Sequence, residues 1–342
     1  MRTSLVPVLG GLSAPISLSL LRNLSRQRLV LPVYHLSTNE EVPHIRHIYP
    51  VRDEQIFSKD MDFFLRHFLP LDFEAIQKHV SGEQPIQKPS FFLSFDDGLR
   101  EIYEVVAPIL RQKGIPAAFF VNSDFVDNRG LFFRYKASLL VDRLSKNTFS
   151  QNILSRLETL LSDHQIPEGL SLAERLLLVR YDQQNLFEEA AALLETDFAE
   201  FLSTQRPYMT TGQIQSLKRE GFTIGAHSAD HPEYQFISPE QQLSQTHRSL
   251  AYLRTKLGIT ENTFAFPFTD FGVGRKLFEQ MYESEKVSVS FGCAGIKNDS
   301  FARHLQRLPM EGTLLPAEKI VKGEYLYYLL KMPFGKNKIL RI

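Results

Sequence analysis

The sequence is poor in three features that would each have indicated a particular class of protein. Its 342 residues contain one cysteine, Cys293, and no tryptophan. A single thiol excludes an intrachain disulfide and a metal site built from several thiolates. Lysine and arginine together number 39, as do aspartate and glutamate, so the net charge provides no general attraction to nucleic acid. The lack of tryptophan argues modestly against a long sugar-stacking cleft, although 27 phenylalanines and 12 tyrosines can stack on sugars.

The chain also lacks an unbroken hydrophobic segment of membrane-spanning length. Residues 4–21 are mostly apolar and follow Arg2, which somewhat resembles a signal peptide. However, Pro7 and Pro15 interrupt the segment, and no convincing small-x-small cleavage site follows it. We therefore expect a cytoplasmic protein. Export, or association with a membrane surface through residues 1–30, is the alternative.

Strand-like apolar runs alternate with helical patterns along much of the chain. Apolar residues make up 43% of the sequence, enough for one large barrel or two ordinary domains. Such alternation is typical of parallel βαβ units, which place functional residues at the carboxyl ends of strands. The predicted strands are 28–35, 91–95, 117–121, 222–227, 263–268, 287–291 and 305–309, and the predicted helices are 54–68, 99–113, 210–219 and 239–257.

Residues 137–205 interrupt this alternation. They carry leucines at helical spacing over 153–161, 172–181 and 186–202, with no strand-like run between them. We predict a helical insertion that forms a lid or flank on one catalytic domain spanning 1–342. A separate docking module is the less favoured alternative.

Two short motifs carry the predicted chemistry. Residues 95–98 read Phe-Asp-Asp-Gly at the end of one predicted strand, and residues 227–232 read His-Ser-Ala-Asp-His-Pro after another. Each is weak evidence alone, because polar turns often follow strands and paired histidines often share a helix face. Together they offer two imidazoles and a carboxylate for a divalent metal, with a second carboxylate as a general base. Two unrelated polar turns are the alternative.

These motifs resemble those of the polysaccharide deacetylases of carbohydrate esterase family four. The resemblance covers residues 28–125 and 207–312. It implies an α/β fold, a distorted (β/α) barrel of about seven strands. It also implies that Asp96 is the general base and that the metal, most often zinc, is bound by a set of three ligands: Asp97, His227 and His231.

The third family motif, which is similar to Arg-Pro-Pro-Tyr, is only partly present. Residues 265–268 read Ala-Phe-Pro-Phe, so Pro267 and Phe268 fit and the Phe268 N–H can bind the oxyanion. Ala265 stands where the family has an arginine that holds the base. The resemblance makes Arg307 the best replacement among the catalytic residues, with a strand-end surface charge as the alternative.

The usual general acid of the family is absent, because no histidine follows His304. One branch, the poly-N-acetylglucosamine deacetylases, has its motifs permuted and uses a Tyr-His pair at the end of an early strand. Tyr34 and His35 match this pattern, and we expect His35 to be the acid. A structural role for His35 is the alternative. His44 and His47 are nearby alternatives for the acid, although we expect them to be solvated loop residues.

The resemblance thus implies a metal-dependent hydrolase that removes N-acetyl groups from an amino-sugar glycan or glycoconjugate and releases acetate. A hydrolase of non-sugar amides on the same fold is one alternative. An inactive carbohydrate-binding protein is another, motivated by the missing arginine and C-terminal histidine. The intact base and ligand set argue against this last alternative. The sequence does not define the sugar, the metal or the oligomeric state.

Overall fold

A computed structural model describes residues 2–283 and 287–341. In this part of the chain, eight short parallel strand segments form the main sheet. These segments are β1 (Pro32–Tyr34), β2 (Leu93–Phe95), β3 (Ala117–Val121), β4 (Thr223–Ala226), β5 (Thr263–Ala265), β6 (Val289–Gly292), β7 (His304–Gln306) and β8 (Leu308–Pro309).

The two edges of this sheet are joined by a single residue. The spatial order is β7-β6-β5-β4-β3-β2-β1-β8, and only Arg307 separates β7 from β8 in the chain. The Arg307 N–H donates to the carbonyl of Gly292, whereas the next N–H, of Leu308, donates to the carbonyl of Leu31. The continuous run 304–309 therefore pairs with β6 through its first half and with β1 through its second half, which closes the sheet. The predicted distorted (β/α) barrel of about seven strands is confirmed.

Helices surround the barrel and form the insertion. Most begin with a polar cap; for example, Asp53 accepts a hydrogen bond from the Ile56 N–H at 2.6 Å. Their bounds are Arg2–Leu12 (α1), Leu18–Ser25 (α2), Glu54–His67 (α3), Phe73–Ser81 (α4), Ala107–Lys113 (α5), Phe133–Lys146 (α6), Gln151–Asp163 (α7), Leu172–Leu178 (α8), Leu186–Leu193 (α9), Phe198–Gln205 (α10), Thr211–Arg219 (α11), Pro239–Leu257 (α12), Arg275–Glu283 (α13) and Ala317–Lys331 (α14).

Short strands flank the barrel at two places. Leu29–Val30 and Leu69–Pro70 both pair in parallel with Ser90–Phe91, and Asn298–Asp299 pairs with Lys338–Ile339. A π-helical turn, Ile102–Val106, leads into α5. Among the described residues, no helix combines the length and apolar character needed to cross a membrane.

Several predicted elements have different bounds in the structure, and three of them show why. The strand predicted over 263–268 ends at Ala265, because Pro267 lacks an N–H and Phe268 has a left-handed backbone. The helical pattern over 186–202 forms α9 and α10, since Asp197 caps a new helix by accepting from the N–H of Ala199. The strand predicted over 305–309 is interrupted at Arg307.

The helices α6 to α10 have a hydrophobic core of their own. Buried side chains from these helices, such as Leu157, Leu161 and Leu186, pack together. This cluster also includes Leu36 and Leu99, which follow barrel strands β1 and β2. The insertion therefore packs directly on the carboxyl-terminal edge of the barrel, where the predicted site residues lie.

Candidate functional site

The predicted site residues lie at the carboxyl ends of neighbouring barrel strands. His35 follows β1, Asp96 and Asp97 follow β2, and His227 follows β4. The pairing of Tyr34 with Phe95 sets His35 beside Asp96 at one edge of the sheet. Because all these strands are parallel, their ends meet at the same edge.

Asp97, His227 and His231 converge on one point. The Oδ1 atom of Asp97 lies 3.2 Å from Nε2 of His231 and 3.6 Å from Nε2 of His227, and the two nitrogens are 3.1 Å apart. All three side chains are buried. Asp97 Oδ1 has no hydrogen-bond partner among the described residues. A buried carboxylate oxygen facing two imidazole nitrogens is a donor set that suits a divalent cation such as zinc.

The second nitrogen of His227 fixes its tautomer. Nδ1 lies 2.9 Å from the carbonyl oxygen of Ala265, so this nitrogen carries the proton and donates it to the carbonyl. The Nε2 lone pair consequently points toward Asp97. Burial lowers the pKa of His227 to about 4, which keeps the ring neutral at pH 7. A neutral imidazole is the form that binds a metal.

The backbone of the site is strained at several positions. Four site residues that are not glycine have positive φ: Asp97 (70°), Ser228 (66°), His231 (62°) and Phe268 (53°). Such conformations cost roughly 1–3 kcal/mol each and persist only where the surrounding structure enforces them. Their concentration at one point of the fold indicates a functional constraint.

Asp96 and Arg307 form a buried bidentate ion pair. Both guanidinium nitrogens, Nη1 and Nη2, donate to the carboxylate oxygens at 2.7 Å, and Nη1 also reaches the Ser94 hydroxyl at 3.2 Å. Burial alone would raise the pKa of Asp96, but the charge and hydrogen bonds of Arg307, together with the nearby histidines, hold this pKa below its usual value. Arg307 is fully buried. The alternative interpretation of Arg307 as a surface charge is therefore wrong.

His35 is paired with Glu311, a residue that the sequence reasoning missed. Nδ1 of His35 lies 2.5 Å from Oε2 of Glu311, whose other oxygen accepts the backbone N–H of His35 at 2.9 Å. Burial alone would lower the pKa of His35, but the Glu311 carboxylate outweighs it and raises this pKa to about 9. The His35 side chain is 28% exposed and stacks on Tyr49. A charged imidazole thus stands at the accessible edge of the site.

The two alternative histidines have different surroundings. The expectation that His44 is solvated is wrong, because it is buried against Tyr135. Burial lowers its pKa to about 3, so it is neutral at pH 7 and not a charged acid. His47 lies beside Arg46 and Asp142 on the insertion side. Neither follows a barrel strand directly, whereas His35 does.

Phe268 lies against the histidine pair. Its ring centroid is 4.6 Å from that of His231, and Phe132 contacts the same imidazole at 4.2 Å. The Pro267 carbonyl accepts from the Thr269 N–H at 2.6 Å. Among the described residues, no group accepts a hydrogen bond from the Phe268 N–H. This N–H is available to an oxyanion.

A second group of potential metal ligands already contains a cation. Asp270, Asp299 and His304 have side-chain atoms within 4.8 Å of one another. The guanidinium of Arg341 contacts both carboxylates, with Nη2 2.6 Å from Oδ2 of Asp299. This cluster is an ion-pair network, so Asp97, His227 and His231 are the metal candidate among the residues that the structure describes.

Several solved structures have a similar fold. The deacetylase PplD of Streptococcus pyogenes, solved with acetate, matches with a TM-score of 0.55 at 12% identity, over 86% of this chain and 97% of its own. IcaB from Ammonifex degensii matches with a TM-score of 0.53 at 14% identity, over 87% and 97%. A de-N-acetylase from Aggregatibacter actinomycetemcomitans matches with a TM-score of 0.51 at 12% identity, over 83% and 95%. No curated protein sequence matches the chain.

The sequence model of the polysaccharide deacetylase family matches residues 83–159 and 191–278. These ranges contain both leading motifs and the Phe268 segment, whereas His35, Arg307 and Glu311 lie outside them. The match, the barrel and the motifs at its strand ends agree. Within these ranges the chain carries a polysaccharide deacetylase domain.

Proposed function

We propose that this protein is a metal-dependent deacetylase that removes the N-acetyl group of an amino sugar within a glycan or glycoconjugate, releasing acetate. The observation that carries the proposal is the convergence of Asp97, His227 and His231 beside the ionised Asp96. The match to the polysaccharide deacetylase family supports the reaction class. Two structural neighbours, a deacetylase solved in complex with acetate and a de-N-acetylase, support it further. We further propose that the whole chain forms one catalytic domain, flanked by the insertion.

Asp97, His227 and His231 would hold the divalent metal, with zinc as the best candidate for two nitrogens and one oxygen. When bound, the metal would polarise the acetyl carbonyl and make water easier to deprotonate. The low pKa of Asp97 suits this role: burial alone would raise it, but the neighbouring histidines, His231 foremost, together lower it, so the ligand is a carboxylate.

The remaining steps belong to the chain's own residues. Asp96 accepts a proton from the attacking water as the new C–O bond forms at the acetyl carbon. The Phe268 N–H donates a hydrogen bond to the oxyanion that develops. His35 gives its proton to the amine nitrogen as the C–N bond breaks, which yields acetate and a free amino sugar. Arg307 holds both oxygens of Asp96 in place.

Acetate release from a panel of N-acetylated sugars, measured on metal-stripped protein with and without zinc or cobalt, tests the proposal. Release that zinc restores, and that Asp96→Asn abolishes, is the expected result. Tight metal binding without release from any sugar would favour hydrolysis of a non-sugar amide. Protein that binds no metal would overturn the proposal.

A further inference from the structure

The segment from α6 to α10 forms the insertion; it begins at Phe133, four residues before the predicted start at 137, and is bonded to both metal-site motifs. The Tyr181 hydroxyl donates to Oδ2 of Asp230, inside the second motif, at 2.7 Å. Arg134 pairs at 2.9 Å with Glu233, just past the same motif. The third contact goes to a candidate ligand itself: the Tyr135 hydroxyl donates to Oδ2 of Asp97 at 2.7 Å. The insertion therefore contacts the centre of the site as well as its rim.

Tyr135 is held rigidly where it meets Asp97. It belongs to α6 and is fully buried. Its ring packs against Phe132 at 4.9 Å, Tyr208 at 6.2 Å and His44 at 5.1 Å between centroids. A side chain packed on several sides has little freedom to turn its hydroxyl away.

The two oxygens of Asp97 have separate partners. Oδ2 accepts the phenol hydrogen bond, whereas Oδ1 faces Nε2 of His227 and His231. The phenol thus fixes the rotation of the carboxylate, so that one oxygen points toward the histidines. Groups that orient a ligand in this way typically change metal affinity 10–100-fold when they are removed.

We propose that Tyr135 is a positioning residue of the metal site, contributed by the helical insertion. It acts through Asp97, which it orients toward His227 and His231. The inference rests on the proposed function, because it concerns the same metal. The inference gives the insertion a role in the metal site, in addition to covering the barrel.

Tyr135→Phe isolates the hydroxyl, because phenylalanine keeps the ring and its packing. We expect zinc and cobalt to bind this variant about 10–100-fold more weakly than wild type in competition with a chelator. The visible spectrum of bound cobalt should also change, since it reports ligand geometry. The melting temperature of the metal-free protein shows whether the fold is retained.

Tyr234→Phe is the matched control. Tyr234 is also fully buried, and its hydroxyl bonds to Thr246 at 2.9 Å, away from the ligands. It should lose a comparable hydrogen bond but keep wild-type metal affinity. Equal affinity of wild type and Tyr135→Phe would overturn the inference and leave the proposed function standing. Failure of wild type to bind metal would overturn both.

Discussion

At the scale of single residues, two ion pairs set the charges on which the proposed chemistry depends. Arg307 keeps Asp96 ionised, and Glu311 keeps His35 protonated. A general base must begin without its proton and a general acid must begin with one. The structure therefore supplies both groups in the required forms at neutral pH.

Asp96→Asn should abolish turnover and leave metal affinity nearly unchanged. The amide keeps the size of the side chain but cannot accept the proton of water, whereas the ligand Asp97 is untouched. Steady-state acetate release together with metal titration measures both effects. Activity equal to wild type would remove Asp96 from the role of base.

His35→Ala should lower kcat by roughly 10²–10⁴-fold, the usual contribution of a general acid. The amine would then leave without a proton from the protein. Substrates that carry a better leaving group should be less affected, which provides an internal control. A loss below about tenfold would place the acid elsewhere.

Glu311→Gln should lower the pKa of His35 from about 9 toward its ordinary value of 6.5, because the carboxylate that raises it most is removed while burial still lowers it. Because the pKa of His35 is raised in the folded state, protonated His35 stabilises the fold. This stabilisation is full below the unfolded pKa of 6.5 and is lost as the pH rises through about 9. Wild type should therefore lose it between pH 6.5 and about 9, and the variant should lose less. Histidine NMR titration of the metal-free protein measures the shift, and an unchanged midpoint would contradict it.

The sequence predicts the main site residues and Arg307, but not the supporting groups Glu311 and Tyr135. Asp96, Asp97 and the two histidines stand in short motifs beside apolar runs, so their position at strand ends can be read directly. Glu311 looks like any loop carboxylate, although it comes just after β8. Tyr135 looks like a core residue of an amphipathic helix. Both roles depend on contacts between distant parts of the chain.

At the scale of secondary-structure elements, close packing between barrel strands can be tested at Gly225 in β4. A Cβ atom there would overlap the Phe120 ring and lie 2.8 Å from Cγ2 of Thr263. Gly225→Ala should cost about 1–3 kcal/mol, as overpacked cores do. Urea unfolding measures the loss.

Gly212→Ala serves as the comparison. It lies in α11, where the nearest atom to an added Cβ is the Thr210 hydroxyl oxygen at 4.0 Å. Stability should stay equal or rise slightly, because glycine within a helix is about 0.5–1 kcal/mol worse than alanine. Equal effects of the two substitutions would show that space around Gly225 is not limiting.

The periodicity of apolar residues predicts which segments are helices and which are strands, but it does not predict where several of them end. The break between α9 and α10 depends on the cap at Asp197, which a leucine pattern does not reveal. The interruption at Arg307 arises because the run changes its pairing partner from β6 to β1. Pairing between distant strands is a tertiary property, and local sequence carries little information about it.

At the scale of the whole molecule, metal binding should stabilise the fold. A ligand that binds only the folded state adds about 2.7 kcal/mol at a concentration one hundred times its Kd. Zinc should therefore raise the melting temperature of stripped wild type, and a chelator should reverse the rise. His227→Ala should show no rise, and a shift equal to wild type would refute its assignment as a ligand.

Because the barrel closes through Arg307, the proposed chemistry depends on the order in which the chain is synthesised. Asp96 and Arg307 are 211 residues apart in sequence. A nascent chain that has not yet reached β8 has neither the closing strand nor the partner of its buried carboxylate. Contacts of such long range are formed slowly, because the ends of a long loop must first meet. The proposed catalytic base thus gains its partner only when the end of the barrel has been made, so we expect chains that stop before Arg307 to lack activity.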